Sequence, residues 1–327
     1  MKVKNITSRE IWKAKQRIKP YVIRTALTYS HELSELTGSN IYIKFENLQE
    51  IGAFKIRGAA NKILSLTAEQ KAKGISTFST GNHGLAVAYM ANRLGMKATV
   101  CMSKHVPSVK VNKISRYNPV VLQEWDSQDA AGTYCFKLQE EEGVTVIPPY
   151  DDKEIICGQG TIGLEIVEDC PEVDMVLVPL SGGGLMSGVT LGLKMTIEDV
   201  KVVGISMKES AVMIESLKAG HPVEMSETPT LADSLLGGIG LDNQYTYDIV
   251  KDYVDQTAQV SEEEIAEGIR YIMRNHKMIV EGAGAVGIAY ALRQDNLPKG
   301  KNIVIVVTGN GVGMETIKNI LNDTEKL

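Results

Sequence analysis

Apolar positions along the chain fall into short runs rich in β-branched residues, separated by longer stretches with helical spacing. The runs are NIYIKFE (40–46), KGISTFS (73–79), KATVCMS (97–103), PVVLQEW (119–125), VTVIPPY (144–150), VDMVLVPL (173–180), VKVVGIS (200–206) and KNIVIVVTG (301–309). Runs of this length and composition predict strands. VDMVLVPL is apolar along most of its length, as a parallel strand covered on both faces must be, and 200–206 and 301–309 read the same way. Between the runs, HGLAVAYMANRLG (83–95) places Val87, Met90, Ala91 and Leu94 at helical spacing, and Gly95 supplies a stop. Strands alternating with helices predict an α/β fold of doubly wound, open parallel sheets. No composition shift, repeat or low-complexity tract marks a linker. The stretch PPYDDKEIICGQG (148–160), rich in turn formers, is the best candidate for a boundary near residue 150.

The 327 residues suffice for two domains, or one large one, with a substantial core. Hydrophobic residues make up 43% and charged residues 23%, and the net charge of −5 carries no long block of one sign. That balance argues against nucleic acid or an anionic membrane as partner. No apolar run reaches the about 18 residues of a membrane-spanning helix. The first segment, MKVKNITSREIWKAKQRI, has no apolar stretch of the secretory kind. Four cysteines without C-x-x-C spacing fit a reduced, cytoplasmic protein and give no metal signature, and the five histidines form no H-E-x-x-H.

The thirty glycines change the picture. They cluster in STGNHG (79–84), LSGGGLMSG (180–188), GGIG (237–240), EGAGAVG (281–287) and VTGNGVG (307–313). The loops at 79–84 and 180–188 each follow a strand and open a helix, which is where open parallel sheets bind ligands. Gly182, Gly183 and Gly184 can turn successive N–H groups toward one point at a helix N-terminus, and Ser181 adds a hydroxyl. This reads as a phosphate cup; a tight strand–helix turn gives the same pattern. No G-x-x-x-x-G-K-[ST] is present. A formal G-x-G-x-x-G runs from Gly282 to Gly287, but a helical pattern precedes it and the next strand ends in Thr308-Gly309, not in an acidic residue.

Lys55 lies between Phe54 and Ile56 at a helix start. It reads either as a solvated charge or as a lysine held to react. A phosphate cup, a lysine beside an aromatic ring and the absence of metal and nucleotide motifs together suggest pyridoxal phosphate. Burial beside the ring would weaken the amine's preference for the charged form and favour its reaction with an aldehyde.

ENLQEIGAFKIRGA, STGNHG, GQGTIGLEI and VPLSGGGL strongly resemble the threonine/serine dehydratase branch of the β-family (fold type II, tryptophan synthase β-like) pyridoxal-phosphate enzymes. The resemblance runs from about residue 15 to the end. CMSKHVP, GISM, TLADSLLGGIGLDN and IVEGAGAVGIA look closer to the hydroxyectoine-utilisation dehydratases. The resemblance implies that Lys55 holds the cofactor and later moves the Cα proton. It implies that Phe54 packs on the cofactor ring and that Asn82 bonds its phenolic oxygen. Ser79, Thr80, Asn82 and His83 match the loop that grips the substrate carboxylate. Ser181, Gly182, Gly183, Gly184 and Leu185 match the phosphate cup, and Thr308 the hydroxyl facing the pyridine nitrogen. Ser234 and Glu281 match positions near the ring. The architecture implied is a small mobile domain, 48–148, inserted into a large one made of 1–47 and 149–327. A homodimer is implied, and isoleucine feedback is not expected.

The chain also departs from the pattern. Thr80 stands where threonine deaminases carry alanine and serine racemases a serine, so racemisation is an alternative. Ser206 and Val212 occupy the positions at which some relatives hold a divalent cation, so no metal is expected there. Ser234 replaces a glycine, and EGAGA replaces E-P-A/T-G-A, which leaves the substrate side chain open. His83 reads as a loop-ordering residue more than as a base. The function expected is a dehydratase acting on a β-hydroxy-α-amino acid such as L-threonine or L-serine. A racemase or hydroxyaspartate dehydratase on the same scaffold is the alternative. A nicotinamide oxidoreductase using Gly282–Gly287 and a non-catalytic binding module are more distant ones.

Overall fold

Among the residues described by the computed structural model (2–3, 6–293 and 297–322), two open sheets carry the fold, with a two-residue pair at Lys2–Val3 and Ile6–Thr7 beside them. The strands in chain order are β1 (Leu27–Tyr29), β2 (Asn40–Phe45), β3 (Ile75–Thr77), β4 (Ala98–Ser103), β5 (Val120–Trp125), β6 (Thr145–Val146), β7 (Met175–Pro179), β8 (Lys201–Met207), β9 (Gln256–Val260) and β10 (Asn302–Val307). The helices that bear on the site are α1 (Lys55–Ser65), α2 (Asn82–Arg93), α3 (Ser108–Ser115), α4 (Lys153–Asp169), α5 (Gly184–Lys194), α6 (Thr246–Tyr253) and α7 (Gly282–Ala291).

The six-stranded sheet runs β9-β8-β7-β10-β2-β1, parallel except for the edge strand β1. The four-stranded sheet runs β5-β4-β3-β6 and is parallel throughout. The register explains the continuous apolar runs. Ile303, Ile305 and Val307 of β10 join Leu177 in one core, while Val304 and Val306 join Val176 and Val178 in another. Both faces of the central strands are covered, so no polar alternation is needed. Among the described residues no helix is long and apolar enough to cross a membrane.

Several segments depart in detail from the expectation. The strand expected over 144–150 stops at Val146, because Pro148 and Pro149 have no N–H to give to a ladder. Of the stretch 148–160, residues 148–152 form a loop and the rest enters a helix. Asp152 caps α4, its Oδ1 accepting from Glu154 N (2.8 Å) and Ile155 N (3.1 Å), and Gly158, Gly160 and Gly163 lie inside that helix. They let helices approach at backbone distance: a Cβ on Gly163 would lie 2.6 Å from the Val189 carbonyl, and one on Gly158 2.5 Å from the Arg57 carbonyl. β1 and β9 do not show as apolar runs; β9 reads QTAQV, and β1 is a three-residue, largely exposed edge. Trp12 is 43% exposed, with the Lys15 ammonium 4.9 Å from its ring centroid. The formal G-x-G-x-x-G is helical from its first glycine, since Gly282 opens α7.

Candidate active site

Five segments leave the carboxyl ends of strands for one place: those after β2, β3, β6, β7 and β10. Backbone bonds join the first to the last. Phe54 N donates to Thr308 O (3.0 Å), Asn310 N donates to Gly52 O (3.0 Å), and Ala53 bridges Gly309. Gly52 turns through φ 76°, and a Cβ there would lie 2.2 Å from Asn310 Oδ1. Glycine is required on both counts.

Lys55 is the first residue of α1. Its Nζ donates to Pro149 O (2.9 Å) and stands 5.3 Å from the centre of the Phe54 ring. Burial pulls its pKa down to about 8, and the Glu281 charge opposes that fall. His83, on the first turn of α2, is buried. Its Nε2–H donates to Ile147 O (2.9 Å), which fixes the proton on Nε2 and leaves Nδ1 without a partner. Burial, and then the Lys55 charge, push the imidazole pKa to about 3, so the ring is neutral. The carbonyls that hold these two side chains belong to residues two apart.

Asn82 opens α2, and its Nδ2 reaches both oxygens of Glu281 at 3.0 Å. Gly311 N donates to Glu281 Oε2 (2.9 Å). Glu281 is buried just before α7; burial raises its pKa, against the hydrogen bonds from Asn82 and Gly311. Thr308 is 3% exposed, and its hydroxyl has no partner in the protein. On the opposite side, Gly183 precedes α5 with φ 85°, and a Cβ on Gly182 would lie 2.6 Å from the Tyr150 ring. Ser181 is part-exposed and Leu185 is buried at the first turn of α5. Ser79 and Thr80 are part-exposed on the loop that leads into α2.

The structure thus brings Lys55, Phe54, Asn82, His83, Glu281 and Thr308 into one connected set. Ser234 does not join it: that residue is exposed on a short turn, with its hydroxyl 3.3 Å from Asp233 Oδ1. Ser206, one of the two positions considered for a cation, is buried with its hydroxyl 3.4 Å from Met207 Sδ.

A family described as pyridoxal-phosphate dependent enzyme matches residues 18–309. The chain belongs to this family. Its relatives include a putative threonine dehydratase of Sinorhizobium fredii, 43% identical over 318 residues that cover 97% of this chain and 96% of that one. An L-threonine ammonia-lyase of Thermotoga maritima is 41% identical over 317 residues, covering 97% of this chain and 78% of that protein. Among solved structures, maize serine racemase superposes with a TM-score of 0.90 at 33% identity, covering 98% of each chain. The processed form of threonine deaminase isoform 2 from Solanum lycopersicum gives 0.89 at 31% identity, covering 97% of this chain and 89% of that one. The chain is a fold type II pyridoxal-phosphate enzyme of the threonine/serine dehydratase branch.

The residues present fit that cofactor. Gly182–Gly184 leave no room for side chains and offer N–H groups at the start of an eleven-residue helix. The buried Thr308 hydroxyl lacks a partner, which a ring nitrogen would supply. Lys55 has an amine whose charged form is disfavoured. Tyr150 and Asp151 gave no sequence signal. The Tyr150 hydroxyl donates to Gly238 O (2.8 Å) and so ties the GGIG loop to the glycine cup. Asp151 accepts from the N–H groups of Gln244 (2.6 Å), Tyr245 (2.9 Å) and Thr246 (2.9 Å) and fixes the start of α6.

Proposed function

We propose that the protein is an ammonia-lyase that removes water from a β-hydroxy-α-amino acid, such as L-threonine or L-serine, and yields a 2-oxo acid and ammonia. The observation that carries this reading is Lys55: one amine, its pKa drawn down to about 8, held on the carbonyl of Pro149, next to the Tyr150 whose ring lies against Gly182 of the glycine cup. Bound there, pyridoxal phosphate supplies a sink for the electron pair left when Cα loses its proton. Lys55 holds the cofactor. Freed by the substrate amine, it takes the Cα proton as a neutral base.

Other residues orient and stabilise. The N–H groups of Ser181 through Leu185 take the phosphate. Asn82, already a donor to Glu281, would turn its amide to the phenolic oxygen. The Thr308 hydroxyl would meet the ring nitrogen without charging it, which suits elimination. Phe54 and Glu281 would flank the ring. Ser79, Thr80, Asn82 and His83 bind the substrate carboxylate. A neutral His83 has no proton to give near pH 7; it orders the loop through Ile147.

The four-stranded sheet lies within 48–148, and we assign it to a mobile domain that closes over the substrate on a larger body made of 1–47 and 149–327. A homodimer is the assembly we assign, and the cytoplasm the compartment, which four buried, unpaired thiols fit. A role in hydroxyectoine breakdown is the most specific form of this reading.

The test is a panel of L-threonine, L-serine, 3-hydroxyaspartate and 3-hydroxy-2,4-diaminobutyrate, with 2-oxo acid and ammonia measured together. Equal amounts of the two from at least one substrate support the reading; none from any contradicts it. Thr80 favours racemisation as a second reading, because it puts a hydroxyl on the loop before α2. Cα deuterium exchange that converts one serine enantiomer into the other would establish it.

A further inference from the structure

The segments ENLQEIGAFKIRGA and GQGTIGLEI contain Glu46, Gln49, Arg57, Thr161 and Glu165, to which the chemistry above gives no task. In the fold they meet in one buried cluster. Arg57 is fully buried. Its Nε and Nη2 donate to Glu46 Oε2 and Oε1, both at 2.7 Å. Its Nη1 and Nη2 donate to Glu165 Oε1 (2.7 Å) and Oε2 (2.8 Å), 108 residues along the chain. Thr161 Oγ1 (3.1 Å) takes the remaining N–H, on Nη1, and Ile23 O lies 3.3 Å from Nη2 as a shared acceptor. Lys44, also fully buried, donates to Glu165 Oε2 (2.7 Å) and Thr25 O (2.6 Å). The Thr25 hydroxyl (2.6 Å) and the Gln49 amide (3.1 Å) complete Glu46.

Two cations and two carboxylates therefore balance, and every charge has hydrogen-bonding partners. Burial alone would raise the Glu165 pKa; Arg57 and Lys44 outweigh it and hold the carboxyl below its ordinary value. Removing four charges from water is costly, and a well-packed apolar set is often equally stable. What a twice-bidentate guanidinium provides is direction, since each carboxylate fixes the plane of the fork. Arg57 lies two residues after Lys55 on the first turn of α1, and Arg57 N donates to Phe54 O (3.0 Å). Beyond Arg57, the contact between Gly58 and Gly158 holds α1 against α4: a Cβ on Gly158 would stand 2.6 Å from Gly58 Cα. Before Lys55, residues 52–54 are bonded to 308–310.

We propose that the cluster of Arg57, Glu46, Glu165 and Lys44 is a positioning device for Lys55. It fixes the direction in which α1 starts, and with it the place of the amine against the Pro149 carbonyl. Arg57 acts through the backbone of its own helix and touches neither cofactor nor substrate. The proposal rests on Lys55 being the lysine that holds the cofactor.

The test uses the loaded enzyme carrying Arg57→Met with Glu46→Gln, which keeps the Lys44–Glu165 pair and leaves no unpaired charge. The expected result is a protein that melts within about 5 °C of wild type. Its kcat per bound cofactor falls about 10- to 100-fold. The circular dichroism of the cofactor's visible band changes sign or magnitude. Arg57→Lys, which keeps the charge and loses the fork, shows the same two changes in smaller degree. A double variant that keeps kcat within about twofold and an unaltered visible band overturns the proposal. If the double variant does not fold, Glu46→Gln alone decides by the same two readouts. Failure of the underlying reading would look different: after borohydride reduction of the wild type, the cofactor would map to a lysine other than Lys55, whatever Arg57 does.

Discussion

Lys55 sits at the N-terminal end of a helix, an unfavourable place for a cation, and burial adds to the penalty. With a pKa of about 8, the freed amine is mostly ammonium below that pH and accepts a proton only above it. kcat is therefore expected to rise with pH through about 8 and then level off. Glu281 works in the opposite direction, raising that pKa. Glu281→Gln should move the rising limb of the pH–kcat profile to lower pH; a limb that stays or moves upward contradicts the arrangement. Thr308 gives a second prediction. Its buried hydroxyl lacks a partner, which costs about 1–3 kcal/mol in a protein without cofactor. Thr308→Val should leave the melting temperature of the cofactor-free protein unchanged or higher, while cofactor affinity in a fluorescence titration falls about 5- to 20-fold. Loss of stability with unchanged affinity would reverse the assignment.

At the scale of elements, the helix pairs are set by glycine. Gly158→Ala illustrates the competition. Alanine gains about 1 kcal/mol of helix propensity over glycine. Here its Cβ would meet the Arg57 carbonyl at 2.5 Å, a backbone atom that cannot swing away. Overpacking of that kind costs about 1–3 kcal/mol, so net destabilisation and a lower melting temperature are expected. A variant more stable than wild type would show that α1 and α4 can separate without loss. The same glycines mark the limit of what the sequence reveals. The central strands were legible because both their faces are apolar, and α2 because its apolar spacing is regular. Gly158 and Gly160 counted among the turn formers of 148–160, since a glycine buried at a helix contact and a glycine in a turn are identical in one dimension. The place of Lys55 at a helix start, and of the glycines 182–184 between a strand and a helix, was legible from residue type and motif. The carbonyls of Ile147 and Pro149, the Tyr150 ring and the Arg57 cluster were not, because each depends on contacts between segments tens of residues apart.

For the whole molecule, stability and site geometry share the buried charges. The Glu165 pKa is depressed in the folded protein, so its contribution is present above the unfolded value near 4.5 and is lost as pH falls through the lower folded value. The melting temperature should hold steady from neutral pH to about 4.5 and drop below it, with far-UV and near-UV signals lost together. Separate transitions would mean that the cluster does not couple β2, α1 and α4. Besides the contacts of α1, elements around the four-stranded sheet make polar contacts to residues after 149: Asn82 reaches Glu281, and Lys110 of α3 reaches Asp233 at 3.3 Å with both side chains exposed. The exposed pair contributes less than about 1 kcal/mol, so it would add little cost to the movement proposed for 48–148. The most direct test of the account is peptide mapping by mass spectrometry after borohydride reduction of the purified, cofactor-loaded protein. The account predicts the reduced cofactor on the single peptide that contains Lys55; its appearance on another lysine, or on none, would contradict it.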